Sequence, residues 1–106
     1  MSSLAPHLQA FFADRLVKQQ QVSPHTICAY RGTFRLLLCF LQQRLGKAPS
    51  TLLLQDLDSR IILEFLEHLE THRHNHARTR NARLAAIRSF FRYLALREPA
   101  ESGLIQ

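Results

Sequence analysis

The spacing of apolar residues along the chain predicts helices rather than strands. Apolar positions recur every three or four residues through most of the sequence, and no stretch alternates polar and apolar residues for more than a few positions. Glycine occurs only at positions 32, 46 and 103, so the chain has few of the residues that favour tight turns. The pattern predicts an all-α fold with four helices.

The second predicted helix has the clearest boundaries in the sequence. Ser23 suits the N-cap, Pro24 suits the first helical position, and Gly46 follows the last apolar residue. The first helix is predicted over residues 5–20, where Pro6 is tolerated in the opening turn. Because the apolar residues of the second helix cover more than one face, we expect neighbouring elements to pack against most of it.

The third and fourth predicted helices follow a connection over residues 47–55. Asp56 or Asp58 can cap the third helix, which extends to about residue 72. Its apolar residues are predicted to face inward and its glutamates outward, at Glu64, Glu67 and Glu70. The fourth helix is predicted over residues 78–97, and its apolar side consists of Leu84, Ile87, Phe90, Phe91 and Leu94.

Charge is strongly positive and unevenly distributed. Lys and Arg number 14 against 8 Asp and Glu, which gives a formal net charge of +6, a balance suited to polyanions such as nucleic acid. Residues 71–97 contain seven arginines and no acid, whereas residues 56–70 contain five acids and a single arginine. A basic segment can also be no more than a solvated face, and composition alone leaves both explanations open.

On a helical wheel, the arginines of the fourth helix separate into two groups. At about 100° per residue, one stripe lies opposite the apolar side and consists of Arg78, Asn81, Arg88 and Arg92. Arg80 and Arg83 flank the apolar side instead, where they can equally brace the packing. We call the first group the arginine stripe and take it as a candidate surface for phosphate.

Two helix starts carry donors and cations of the kind that bind phosphates and base edges. They are Ser23, His25 and Thr26 on the second helix, and Arg78, Thr79 and Asn81 on the fourth. Such residues are also ordinary helix caps, so each start alone has a purely structural explanation. Their coincidence with the arginine stripe in one small basic chain favours nucleic acid as the partner.

The sequence lacks the motifs of an enzyme or a metal site. It contains no glycine-rich phosphate loop and no GxSxG motif, and Tyr30 and Tyr93 lie at or beside apolar positions typical of core aromatics. Histidines at positions 68, 72, 74 and 76 raise the question of zinc, but neither an HExxH motif nor a cysteine pair accompanies them. We predict no cofactor, no metal and no catalysis by this chain alone.

Cysteine usage and hydropathy indicate a soluble protein of the cytoplasm. Cys28 and Cys39 lie in one predicted helix, about 16 Å apart along its axis and too far for a disulfide. The start of the chain lacks the features of a signal peptide, and no segment is long and apolar enough for a membrane span. We expect reduced thiols, a cytoplasmic location and no membrane association.

Two segments resemble a known family. The sequence SPHTICAYR at residues 23–31 resembles the S-x-x-T-x-x-x-Y-R start typical of the SAM-like core-binding domain of tyrosine recombinases. Residues 79–94, followed by Pro99, resemble the last major helix of that domain and its exit. The resemblance covers about residues 4–100. It implies an orthogonal four-helix bundle that forms one half of a C-shaped clamp around double-stranded DNA.

The resemblance also implies DNA contacts, because the second and fourth helices of such domains approach the major groove. Combined with the polar helix starts, it gives the candidate DNA-binding set Ser23, His25, Thr26, Arg31, Arg35, Arg78, Thr79, Arg80, Asn81, Arg88 and Arg92. Within this set, the arginines at positions 31, 35, 88 and 92 are weaker candidates for phosphate. Ala29 and Ala82 fall where some relatives have longer contacting side chains, which argues against base reading at those two positions.

The chemistry of the family lies in a C-terminal catalytic domain, where a tyrosine nucleophile cuts one DNA strand. Neither tyrosine of this chain matches that nucleophile. We expect residues 1–100 to form the DNA-binding domain, residues 101–106 to begin a linker to the absent catalytic domain, and the chain to be a fragment. In the parent protein, the resemblance implies DNA integration or recombination by four protomers, a homotetramer on two duplexes.

Two other functions are alternatives to DNA binding. In a helical protein–protein interaction module, the acidic third helix or an apolar surface would dock a partner, and the arginines would only keep the chain soluble. A small transcriptional regulator is disfavoured by the long second helix and by the absence of a short helix-turn-helix with a central glycine.

Overall fold

The computed structural model describes residues 3–19, 21–72 and 76–97. The elements in these ranges are helical, apart from an isolated antiparallel bridge between Ser3 and Leu53. The main helices are α1 (Leu4–Ala10), a π-helix (Phe11–Gln19), α2 (Pro24–Leu45), α3 (Ser59–His72) and α4 (Ala77–Arg97), with 3₁₀ turns at Pro49–Thr51 and Leu54–Asp56. The predicted all-α class is confirmed.

The chain divides into two compact units, Met1–Leu54 and Gln55–Gln106, which we call unit 1 and unit 2. Unit 1 contains α1, the π-helix and α2, and unit 2 contains α3 and α4. That residues 1–100 form a single DNA-binding domain stays a prediction, and the proposed linker over residues 101–106 lies outside the described residues.

The first predicted helix is helical over its described length but changes its winding. It begins as an α-helix and continues as a π-helix from Phe11. The change escaped sequence analysis because apolar residues three and four apart form one buried stripe on either winding. The helix ends where Gln21 takes a positive φ of 48° and the Val22 N–H donates to the Leu16 carbonyl at 2.9 Å.

Helix α2 begins and ends as its sequence predicts. The Ser23 hydroxyl accepts a hydrogen bond from the Thr26 N–H at 3.2 Å, and Pro24 occupies the first turn. Gly46 closes the helix in the left-handed region at φ 67°, a conformation that favours glycine. Since these signals act through neighbouring backbone groups, they do not depend on the rest of the fold.

Aromatic rings join the first helical segment to α2. The ring of Phe11 lies 6.1 Å from that of Phe34, edge to face, and 6.5 Å from that of Tyr30, stacked within 10°. Phe12 also packs edge to face on Phe34, at 5.9 Å. Such offset and edge-to-face pairs contribute beyond the burial of their area. The aromatic cluster therefore fixes how the π-helix lies along α2.

In unit 2, α3 and α4 each bury an apolar face. Asp58 caps α3, since its Oδ1 accepts from the Ile61 N–H at 2.9 Å, which decides between the two predicted caps. Glu67 and Glu70 are exposed as predicted. Glu64 was predicted to face outward but is half-buried. The core of this unit is formed by Leu57, Ile61, Ile62, Phe65, Leu66, Leu69, Ala86, Ile87, Phe90, Phe91, Tyr93 and Leu94.

None of the helices in the described ranges combines the length and the apolar character needed to cross a membrane. Both cysteines are free and exposed on α2.

Candidate nucleic-acid interface

The candidate residues fall into two groups, one in each unit. Unit 1 holds Ser23, His25, Thr26, Arg31 and Arg35, all at the start or in the first half of α2. Unit 2 holds Arg78, Thr79, Arg80, Asn81, Arg88 and Arg92, all on α4. Each unit therefore carries a candidate surface of its own.

At the start of α2, the polar residues are largely occupied with one another. The Ser23 hydroxyl accepts from the Thr26 N–H and donates to the Thr26 hydroxyl at 3.1 Å. Pro24 has no N–H, and the Ile27 N–H donates to the Ser23 carbonyl at 3.0 Å. Among the residues of the first turn, the exposed His25 has an N–H that no intrahelical carbonyl can accept. This N–H, together with the imidazole, is what the start of α2 can offer an anion.

Farther along α2, Arg31 and Arg35 are exposed and lie one turn apart. Between α2 and the segment formed by α1 and the π-helix lies an open cavity of about 620 Å³. We call it the apolar groove; its lining residues are Leu8, Gln9, Phe12, Ala13, Val17, Ile27, Arg31, Phe34, Arg35 and Leu38. Among the described lining residues, the two guanidinium groups are the only cations, so this part of α2 presents charge beside a largely apolar surface.

The arginine stripe on α4 is exposed along its whole length. Arg78, Asn81, Arg88 and Arg92 are all exposed, as the helical wheel predicted, while Thr79 is half-buried. From the first to the last of these arginines, the stripe spans about 21 Å at 1.5 Å per residue. Ala82 and Ala85 are exposed between its members, so short side chains separate the cations. The result is a long basic ridge with little bulk between its charges.

Arg80 differs from the arginine stripe because it is paired inside the protein. Its Nε lies 2.9 Å from Oε1 of Glu70, which joins the end of α3 to the start of α4. The side chains of Arg80 and Glu70 are 33% and 47% exposed, so water screens the pair and it is worth little in stability. Of the two roles considered for Arg80, this contact favours bracing over phosphate binding.

Of the four clustered histidines, the structure describes the side chains of His68 and His76. No three His, Cys, Asp or Glu side chains in the described ranges are close enough to hold a metal ion. The His72 side chain and His74 lie outside the described residues. Tyr93 is buried, and its hydroxyl accepts a hydrogen bond from the Arg97 guanidinium, whose Cζ lies 5.7 Å from the ring centre. Tyr93 therefore has a core position, as its sequence pattern indicates.

Sequence analysis missed the apolar groove. Its wall contains Val17, which is 52% exposed and lies outside the apolar stripe of Leu8, Phe11, Phe12 and Leu16 on a wheel of about 100° per residue. The π-winding shifts the residues that follow Phe11 around the helix axis, and no residue type in this segment signals that change. The only available signal was the unusually broad apolar surface of α2, which exceeds what a single buried face needs.

Comparison with known proteins gives a consistent picture. Residues 8–98 match the family described as the N-terminal SAM-like domain of phage integrase. The chain is 50% identical over 105 residues to y4rC of Sinorhizobium fredii, named an integrase/recombinase, in a match that covers 99% of this chain and 32% of that protein. It is 31% identical over 106 residues to the tyrosine recombinase XerC of Pelobacter propionicus, with 95% and 33% covered.

A second protein of Sinorhizobium fredii, y4rD, also named an integrase/recombinase, is 48% identical over 103 residues, with 97% of this chain and 37% of that protein covered. The chain thus spans about a third of the length of the curated relatives it matches. No solved structure matches it.

Proposed function

This chain belongs to the family of N-terminal SAM-like domains of phage integrases, and from that premise we propose that it is the DNA-binding clamp domain of a site-specific tyrosine recombinase. The observation that carries the proposal is the exposed arginine stripe of α4. A duplex presents closely spaced phosphates along both edges of a major groove about 12 Å wide. A ridge of about 21 Å with cations at both ends can reach phosphates on either side of such a groove.

The members of the arginine stripe differ in what they can recognise. Arg78, Arg88 and Arg92 are suited to phosphates, because a guanidinium group binds two oxygens at once. Asn81 is the one amide on the stripe, and an amide can pair with the edge of an adenine. The short Ala82 and Ala85 would let the helix backbone approach the groove closely. We assign a secondary role to α2, where His25 offers one donor at the helix start.

Binding by this chain alone should be weak and strongly dependent on salt. Each phosphate that is neutralised releases counterions, so the logarithm of affinity falls by about 0.9 per contact for each tenfold rise in salt. A clamp also needs a second domain on the other side of the duplex. In the parent, a catalytic domain joined to this chain would raise the local concentration of each half for DNA.

For the whole parent protein, we propose that it cuts and rejoins DNA in recombination and integration. The catalytic tyrosine would be supplied by a C-terminal domain, and this chain by itself would not be an enzyme. Four protomers would assemble on two duplexes, in the cytoplasm. The names and lengths of the relatives support these proposals, since all three are named as recombinases and extend well beyond the matched region.

The test is an NMR titration of the ¹⁵N-labelled chain with a short duplex of random sequence at low and moderate salt. We expect amide shifts to concentrate at Arg78, Asn81 and Arg88, with smaller shifts at Thr26, and all of them to fade as salt rises. Shifts confined to the Glu67 and Glu70 face of α3, or none at all, would overturn the proposal.

A matched pair of single substitutions adds specificity to the titration. Arg88→Gln should weaken binding, whereas Arg60→Gln removes the same charge from an exposed position on α3 and should change affinity little. Equal losses from the two variants would mean that binding follows net charge alone.

The alternative is a helical protein–protein interaction module, and the apolar groove of unit 1 is the observation that favours it. Exposed apolar surface of this kind commonly marks a protein contact. The two functions are compatible, because the groove and the arginine stripe lie on different helices.

A further inference from the structure

The apolar groove has the length and shape of a site for a helix. Along α2 its lining extends from Ile27 to Leu38, which is three turns or about 16 Å. Because the groove is open to solvent, it cannot enclose most of the surface of a small ligand, as pockets for small molecules do. A helix can cover an open groove with one face and remove its apolar surface from water. The shape therefore favours a helix as the occupant.

The apolar side chains of the groove are only partly covered by the chain itself. On the wall formed by the π-helix, Val17 is 52% exposed and Phe12 is half-buried. On the α2 wall, Ile27 and Leu38 are half-buried. Apolar surface thus remains in contact with water on both walls. A partner that inserts a stripe of apolar side chains between the walls would bury both at once.

Two cations at the rim restrict the chemistry of that partner. Arg31 and Arg35 are exposed one turn apart on α2, a spacing that places Cβ atoms about 6 Å apart. Within the described part of the chain, neither guanidinium group is paired with a carboxylate, and none of the described lining residues is acidic. Two carboxylates one turn apart on a docked helix would match this spacing. Charge complementarity therefore favours an acidic amphipathic helix.

Neither DNA nor this chain fits the groove as well. A duplex backbone offers phosphates for Arg31 and Arg35 but has no apolar side chains for the walls beside them. The acidic helix of this chain, α3, buries its apolar side chains and, among them, exposes Leu63 alone. A helix that fills the groove therefore has to come from another protein.

We propose that the apolar groove is a docking site for an acidic amphipathic helix of another protein. Apolar side chains at helical spacing would enter between the π-helix and α2, and two carboxylates one turn apart would pair with Arg31 and Arg35. Such a site rests on the alternative function proposed above, deepens it by naming the chemistry of the partner, and does not depend on DNA binding.

The probe is a synthetic peptide of about 15 residues, the length at which an isolated helix begins to form in water. It carries leucines at helical spacing and, beside them, two glutamates one turn apart; a matched peptide carries glutamines in their place. Each peptide is titrated without DNA into the ¹⁵N-labelled chain, up to about 1 mM. We expect amide shifts at Val17, Ile27 and Leu38. The glutamate peptide should bind about fivefold more tightly, because it adds two exposed ion pairs.

Variants of the chain separate the walls of the groove from its rim. Val17→Glu places a charge on an apolar wall and should weaken the binding of both peptides about tenfold. Arg31→Gln with Arg35→Gln should abolish the preference for the glutamate peptide and leave the affinity for the glutamine peptide unchanged. Arg88→Gln with Arg92→Gln is the matched control, since it removes the same charge from α4 and should preserve the preference. All five positions are exposed, and far-UV circular dichroism verifies that the helices are kept.

Four results would overturn the proposal. No groove shifts with either peptide would reject docking altogether, whereas equal binding of the two peptides would reject only the acidic partner. An α4 variant that loses the preference as fully as the α2 variant would mean that net charge selects the peptide. Groove shifts on adding duplex, or on concentrating the chain alone, would assign the groove to DNA or to a second copy. Because the peptide titration contains no DNA, its failure leaves the DNA-binding proposal to be judged by the duplex titration.

Discussion

Helices α2 and α4 have nearly equal lengths, 22 and 21 residues, and both expose arginines at helical spacing. Their surroundings differ. Arg31 and Arg35 of α2 border an apolar groove, and the Ser23 and Thr26 side chains at the start of that helix are hydrogen-bonded to each other. The arginines of α4 are separated by exposed alanines. The comparison suggests a rule for exposed arginines: short neighbouring side chains suit contact with a DNA backbone, whereas apolar neighbours suit contact with a folded partner.

Double substitutions on each helix are the strongest test of this comparison. Arg88→Gln with Arg92→Gln should weaken duplex binding by about tenfold, because two phosphate contacts are lost. Arg31→Gln with Arg35→Gln removes the same charge from α2 and should weaken binding by no more than about threefold. Fluorescence anisotropy with a labelled duplex at low salt measures both. Equal losses would show that the two helices do not differ in their use of charge.

We expect the Ser23 cap at the start of α2 to contribute more to the stability of the chain than to DNA binding. Ser23→Ala is expected to lower the free energy of unfolding by about 1 kcal/mol, since the helix loses its side-chain cap. Ser23→Asp keeps an acceptor oxygen and should retain most of the stability. Urea denaturation gives both values. An alanine variant as stable as the original would refute the capping role.

Gly32 within α2 and Gly46 at its C-cap should respond to alanine in opposite directions. Gly32→Ala is expected to raise the free energy of unfolding by about 0.5–1 kcal/mol, because a Cβ there meets nothing within 4 Å and the position is helical. Gly46→Ala should lower it by about 1 kcal/mol, because its φ is 67°. The same denaturation series compares them, and changes of equal sign would contradict the left-handed C-cap.

The smallest expected effect concerns the arginine of α4 that is paired inside the protein. Glu70→Gln should release Arg80 and raise duplex affinity by about twofold, with a stability loss of no more than about 0.5 kcal/mol for a screened pair. Glu67→Gln removes the same charge from the same helix but releases no arginine. If both variants bind DNA equally well, the gain comes from net charge, and Arg80 adds no contact.

Sequence signals that act over one helical turn were sufficient for much of the fold. Ser23, Pro24 and Gly46 predicted both ends of α2, because caps act on the nearest backbone groups. The wheel of α4 predicted the exposure of Arg88 and Arg92, since one strong apolar side leaves the opposite side to solvent. The choice between two possible caps of α3 needed coordinates, because both aspartates precede the helix and geometry alone selects Asp58.

Features that depend on distant residues were missed. The π-winding after Phe11 has no residue signature, and the apolar groove that lines it depends on how α2 packs against that segment. Arg80 meets Glu70 only because the end of one helix lies beside the start of the next. Periodicity reports which side of a helix is apolar, but it contains no information about which charges meet across a turn.

The positions of the two tyrosines give the molecule a built-in optical reporter. The chain contains no tryptophan, and Tyr30 stacks on Phe11 in unit 1 while Tyr93 is buried in unit 2. Tyr93→Phe leaves emission from the first unit alone, and Tyr30→Phe leaves emission from the second. Each urea midpoint is corrected for the change in stability that the substitution itself causes. If the corrected midpoints of the two variants agree, the two units unfold as one cooperative body. Separate midpoints would mean that each unit holds its structure by itself.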